Sequence, residues 1–152
     1  MNKPLIIHTD GGCLGNPGPG GWAFIITKDG SELASSSGSE LKTTNNKMEL
    51  QAVIEALTWV LTHQPESSSI ELHTDSQYVK NGITVWIHNW KRNGWRTANK
   101  APVKNKEYWL ALDEKAQKLP ISWNWVKGHA GNHLNERCDE LVKEAMYKIA
   151  AL

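Results

Sequence analysis

Two short segments constrain this chain more than anything else in it: "LIIHTDGG" from Leu5 and "IELHTDSQ" from Ile70. Each is an apolar, β-favouring run that closes on His-Thr-Asp and a turn-forming residue. Alternate residues share a face of a strand, so Asp10 belongs with His8 and Ile6, and Asp75 with His73 and Glu71. As parallel neighbours the two strands would bring both carboxylates within about 5 Å at one rim of a sheet, where open α/β sheets bind ligands. Either each Asp caps the turn that follows it, or the two share a cation. Adjacent carboxylates repel, and both stay ionised near neutral pH only with a positive charge between them.

The rest of the chain supplies a sheet to hold them. "GWAFIITK" from Gly21 predicts a second strand, and the Ser/Gly-rich Ser31–Glu40 stretch a weak, exposed third. Short turns join these three, as in an antiparallel meander. Leu50, Val53, Ile54, Leu57, Val60 and Leu61 follow helical spacing, with Asn45 or Asn46 available as a cap and Pro65 beyond the end. Ile70–Thr74 is the fourth strand, followed by a short helix from Ser76 that Asn81-Gly82 should stop. Trp86 to Trp109 is partly helical, "ISWNWVKG" from Ile121 is the fifth strand, and Asn132–Ala150 is a last amphipathic helix. The expected fold is α/β: one five-stranded mixed sheet flanked by helices. Strands one to three are antiparallel, and strands one, four and five parallel through right-handed crossovers.

Two helical acids fall near the same rim. Glu49 lies one turn before Val53 on the apolar stripe, where an unpaired acid is rarely buried. It either enjoys the helix dipole or points at the sheet edge. Asp139 lies one turn before Val142, at the margin of the last helix's apolar side, on a solvated face or facing the same edge. Carboxylates converging without a His or Cys cluster make an all-oxygen site for Mg²⁺ or Mn²⁺ rather than Zn²⁺. Two such ions clamp the attacking and leaving oxygens of a phosphoryl displacement. The loop "GGCLGNPGPGG" imitates a nucleotide-binding signature, but Pro17 and Pro19 lead into a strand, whereas a dinucleotide loop must open a helix. A tight hairpin is the better reading.

Net charge is only +1, yet from Ser76 to Lys106 there is no acid and there are seven basic residues, which leaves the remainder acidic. Charge segregated in this way points to a polyanionic partner, and with the acids it suggests a nuclease. At 152 residues a single domain spanning 1–152 is expected. No apolar run approaches the ~20 residues of a membrane span, and no basic segment and long apolar core open the chain. Cys13 and Cys138 are too few for a disulfide framework. A reduced, cytoplasmic protein with no membrane association is the expectation.

"TDGGCLGNPGPGGWA", "TTNNKMELQA", "HTDSQYV", "WIHNWKRNGW" and "WVKGHAGNHLNERCDEL" occur in this order. Together they resemble the bacterial type 1 ribonuclease H family, from about Leu5 to Ala145. The resemblance implies cleavage of the RNA strand of an RNA–DNA hybrid, leaving 3′-hydroxyl and 5′-phosphate ends. It implies two Mg²⁺ ions, with Mn²⁺ a substitute, held by Asp10, Glu49, Asp75 and Asp139. His129 matches the family's loop histidine, which assists proton transfer or product release. Cys13, Asn16, Asn45, Asn46 and Gln77 match its RNA-strand surface, where the 2′-hydroxyl is read in the minor groove. Lys42, Thr44 and Asn105 match a pocket for one DNA phosphate, although an Arg is common at the position of Lys42. Trp86, Trp90, Lys91, Arg92, Trp95, Arg96 and Lys100 resemble its protruding basic handle, with partial burial the alternative for some of the Trp side chains. A monomer without a separate hybrid-binding module is expected. A catalytically silent hybrid-binding module, or a DNA-processing enzyme on the same scaffold, are the alternatives.

Overall fold

The computed structural model describes residues 3–126 and 133–152. Five strands, β1 (Leu5–Cys13), β2 (Gly18–Lys28), β3 (Ser31–Thr43), β4 (Ile70–Thr74) and β5 (Ile121–Trp125), form one sheet in the order β3-β2-β1-β4-β5. The β1–β2 and β2–β3 pairs are antiparallel, and β1–β4 and β4–β5 are parallel. This is the mixed sheet that the periodicities anticipate.

Helix α1 (Asn45–His63) links β3 to β4 and buries Leu50, Val53, Leu57 and Val60 against Leu5, Ile7, Ile26 and Leu72. Consecutive strand residues face opposite ways. A Cβ on Gly11 would meet α1, whereas one on Gly12 would meet Val142 of α5 (His133–Ala150). The two helices therefore cover opposite faces of β1, the central strand. Helix α4 (Lys106–Ala116) packs beside α1 and leads to β5. Among the described residues no helix is long and apolar enough to cross a membrane.

Three local expectations need correction. The first strand, expected over Leu5–Thr9, runs on to Cys13 because Gly12 pairs with Gly21 and Cys13 with Gly20, a ladder of main-chain bonds that needs no side-chain alternation. The cap of α1 is Thr44, whose hydroxyl accepts from the Lys47 N–H at 3.2 Å, while Asn45 and Asn46 begin the first turn. Asn81-Gly82 does not stop the helix that starts at Gln77. Gly82 is right-handed (φ −62°, ψ −50°), and α2 (Gln77–Asn81) continues through a π turn (Gly82–Trp86) into α3 (Ile87–Arg92). The glycine serves close approach instead, since a Cβ there would lie 2.0 Å from the Trp109 ring.

Candidate active site and nucleic-acid interface

The parallel register pairs Leu5 with Ile70 and His8 with His73, so two further steps bring Asp10 level with Asp75. Helix α1 adds Glu49 from its second turn, where the Gly11 N–H donates to Oε1 at 2.6 Å. Gly11 permits this approach, because a side chain there would begin 2.5 Å from the backbone of Met48 and Glu49. Asp10, Glu49 and Asp75 each offer an oxygen within 4.8 Å of the others. Asp10 and Glu49 are buried, and Asp75 is half-buried.

Such crowding is unfavourable in a cation-free site. Burial holds the Glu49 carboxyl well above the usual range, the charges of Asp10 and Asp75 add to this, and the Gly11 N–H opposes it. Its Oε2 is buried and has no hydrogen-bond partner among the described residues. An orphaned carboxylate oxygen inside an all-oxygen cluster fits a hard divalent cation. Asp139 of α5 stands outside the tight trio but lines the same cleft, of about 430 Å³, and pairs with Lys143 at 2.9 Å. Below the rim the His8 and His73 rings stack with centroids 4.9 Å apart. Burial, and secondarily His73, lower the His8 pKa to about 4. The buried Cys138 thiol donates to the His8 carbonyl at 3.4 Å, and burial pushes its pKa up.

The polar residues expected at an RNA strand divide into two groups. Asn45, Asn46 and Gln77 line the carboxylate cleft. Asn16 and Cys13 belong to the β1–β2 hairpin beside it: the Asn16 side-chain oxygen accepts from the Asn45 N–H at 3.0 Å, joining hairpin to helix. The Cys13 thiol lies 3.2 Å from the Gly18 carbonyl and 3.3 Å from that of Thr43, and burial raises its pKa. Lys42 is exposed at the end of β3, and the Thr44 hydroxyl is occupied as the helix cap. Asn105 is buried in a left-handed conformation (φ 60°), and its amide donates to the Tyr78 hydroxyl at 3.1 Å.

The basic segment forms a projection rooted in aromatic packing. Trp90 contacts Trp86, Trp95 and Trp109 at ring separations of 6.1, 6.0 and 5.3 Å. Trp109 is fully buried, whereas Trp86, Trp90 and Trp95 are half-buried. Arg92, Arg96 and Lys100 are exposed. Lys91 is exposed too but pairs with Asp113 at 2.9 Å. His129 lies outside the described residues.

Three contributors escaped the sequence reading. In the sequence Gly11 reads only as a turn glycine, Lys143 as a helix cation four residues after Asp139, and Tyr78 as an aromatic beside Gln77. The i,i+4 spacing of Asp139 and Lys143 was the one legible signal among them.

Comparison with known proteins agrees with this geometry. The RNase H family model matches residues 2–147. The ribonuclease H of Mesorhizobium japonicum is 55% identical over 148 residues, covering 96% of this chain and 80% of the relative. That of Actinobacillus pleuropneumoniae is 55% identical over 141 residues, covering 93% and 89%. Among solved structures, LC9-RNase H1, described as a type 1 RNase H with the type 2 active-site motif, has a TM-score of 0.83 at 30% identity, covering 97% of this chain and 74% of that one. LC11-RNase H1 in complex with an RNA/DNA hybrid has a TM-score of 0.74 at 28% identity, covering 96% and 99%. Crowded acids at the centre of a mixed sheet, and sequence likeness along nearly the whole chain, converge on one conclusion: this chain belongs to the ribonuclease H family.

Proposed function

We propose that this protein is a divalent-metal-dependent endoribonuclease that hydrolyses the RNA strand of RNA–DNA hybrids, leaving 3′-hydroxyl and 5′-phosphate ends. The observation that carries this reading is the Asp10–Glu49–Asp75 cluster with its orphaned Glu49 oxygen, in a chain of this family. Asp10, Glu49, Asp75 and Asp139 are the proposed ligands of two Mg²⁺ ions, with Mn²⁺ able to substitute; when bound, these supply Lewis-acid activation of water and of the scissile phosphate. Burial and the charges of Asp10 and Asp75 raise the Glu49 pKa, and a cation held by these three carboxylates would offset that.

The chain's own groups do the recognition. Asn45, Asn46 and Gln77 on the cleft wall, with Asn16 and Cys13 on the adjoining hairpin, present small polar groups to the ribose 2′-hydroxyls of the cut strand. Lys42, Thr44 and Asn105 receive a phosphate of the DNA strand. The half-buried Trp86, Trp90 and Trp95 support sugar or base contacts, and Lys91, Arg92, Arg96 and Lys100 neutralise backbone charge. His129 assists proton transfer or product release. The two unpaired thiols suit a cytoplasmic enzyme, and it acts as a monomer in this reading.

Cleavage of RNA–DNA hybrid, double-stranded DNA and double-stranded RNA, each with Mg²⁺ and with chelator, tests the proposal. Only the hybrid with metal should be cut, and Asp10→Asn should lose nearly all cleavage while still binding hybrid. Preference for a DNA duplex points to a DNA-processing enzyme, and binding without cleavage to a silent module. Either result overturns the reading.

A further inference from the structure

The three clustered carboxylates are not held alike. Asp10 lies inside the β1–β2 ladder opposite Ala23, and Glu49 is gripped by the Gly11 N–H. Asp75 lies past the end of β4, in the turn before α2. Among the hydrogen bonds of the described residues at that turn, three bear on how the Asp75 main chain is held. The Val126 N–H donates to the Thr74 carbonyl at 2.8 Å, and the Ser76 N–H to the Thr74 hydroxyl at 3.0 Å. The third bond comes from a side chain and reaches Asp75 itself: the Trp125 indole N–H donates to its carbonyl oxygen at 3.2 Å, across 50 residues of sequence.

Resting on the metal-binding reading above, we infer that Trp125 is a positioning residue for the metal site, fixing the Asp75 carboxylate by pinning its main-chain carbonyl. The ring is well placed for this. Trp125 pairs in register with Thr74 on β5, and the Lys80 ammonium of α2 lies 5.8 Å from its ring centroid. Strand and helix thus hold the indole from two sides. Losing the indole N–H leaves the Asp75–Ser76 peptide plane tied through its Ser76 N–H but no longer through its carbonyl, and the carboxylate shifts with its Cα as that plane tilts. Partners that orient a metal ligand typically govern 10- to 100-fold in metal affinity or activity.

The test is Trp125→Phe, which keeps an aromatic ring and removes the donor, with Trp123→Phe on the same strand as a packing control. Mg²⁺ titration of the free protein followed by NMR, steady-state cleavage and urea unfolding are compared. Trp125→Phe should weaken Mg²⁺ binding about tenfold and raise the Mg²⁺ needed for half-maximal cleavage in proportion. KM for hybrid should be unchanged, and kcat should recover at high Mg²⁺. Trp123→Phe should leave Mg²⁺ affinity intact. Equal Mg²⁺ affinity in Trp125→Phe and wild type, or an equal loss in both variants, overturns the assignment. In the wild type, exchange of the Trp125 indole proton should slow with the same Mg²⁺ dependence, and an unresponsive indole overturns it even if the variant fails to fold. A wild type that binds no Mg²⁺ sinks the metal reading and this inference together.

Discussion

At the scale of single residues, the rim concentrates groups whose protonation opposes their surroundings. His8 is buried against His73, its Nδ1 has no hydrogen-bond partner among the described residues, and its pKa falls from 6.5 to about 4. Between those values the unfolded chain binds more protons at this position than the folded one does, so acid favours unfolding. The stabilisation is fully present above pH 6.5 and is lost progressively as pH falls toward 4. Urea titrations should therefore show wild type losing up to about 1.4 kcal/mol per pH unit more than His8→Phe across that window. Parallel pH profiles for the two proteins would show that another group dominates. His8 was legible as a neighbour of Asp10 on one strand face. His73 followed as its counterpart beside Asp75, and what only the structure adds is that the two rings stack.

At the scale of elements, what could be read and what could not follow from which interactions make a segment. α1 and the strands β1, β2 and β4 were legible because side-chain burial makes them, and burial leaves a period. The glycine-rich start of β2 and the far end of β1 were hidden because main-chain pairing alone extends them. The site acids divide in the same way. Asp10 and Asp75 followed from strand alternation and Glu49 from a helical stripe, whereas Asp139, at the margin of its stripe, needed the fold to show that it lines the cleft. Gly82 misled for a different reason: a glycine demanded by a close neighbour looks like one demanded by a turn. Gly82→Ala gains roughly 1 kcal/mol of helix propensity, but it drives a methyl to within 2.0 Å of the Trp109 ring. Trp109 is fully buried, with its indole N–H bonded to Tyr78 at 3.1 Å, and has little room to yield. Overpacking of this kind costs about 1–3 kcal/mol or more. The net expectation from urea unfolding is a destabilisation of up to about 2 kcal/mol, and a more stable variant would show that the aromatic cluster relaxes.

At the scale of the whole molecule, charge is divided between a carboxylate cleft and a cationic projection. The acid-free run from Ser76 to Lys106 foretold that division, but not which cations remain available to a polyanion. Lys91 is partly neutralised by Asp113, whereas Arg92 and Lys100 are exposed without a carboxylate partner among the described residues. Replacing both Arg92 and Lys100 by Ala should weaken hybrid binding and reduce the slope of log Kd against log salt by about 1.8. Lys91→Ala should change the slope less than either single replacement. An unaltered slope in the double variant would place the phosphate contacts elsewhere.

The acids and the cations also differ in how they are anchored. Asp10 rides the middle strand of five, with a paired neighbour on each side and a helix over each face, while the projection hangs from a stack of half-buried rings. The exposed tip of the projection carries no strand of the sheet, whereas any unravelling of the sheet's centre displaces the acids. Scission of a minimal substrate therefore doubles as a probe of folding: a chain that cuts has closed its middle strands, and a variant that loses the proposed grip on long duplexes should keep that signal.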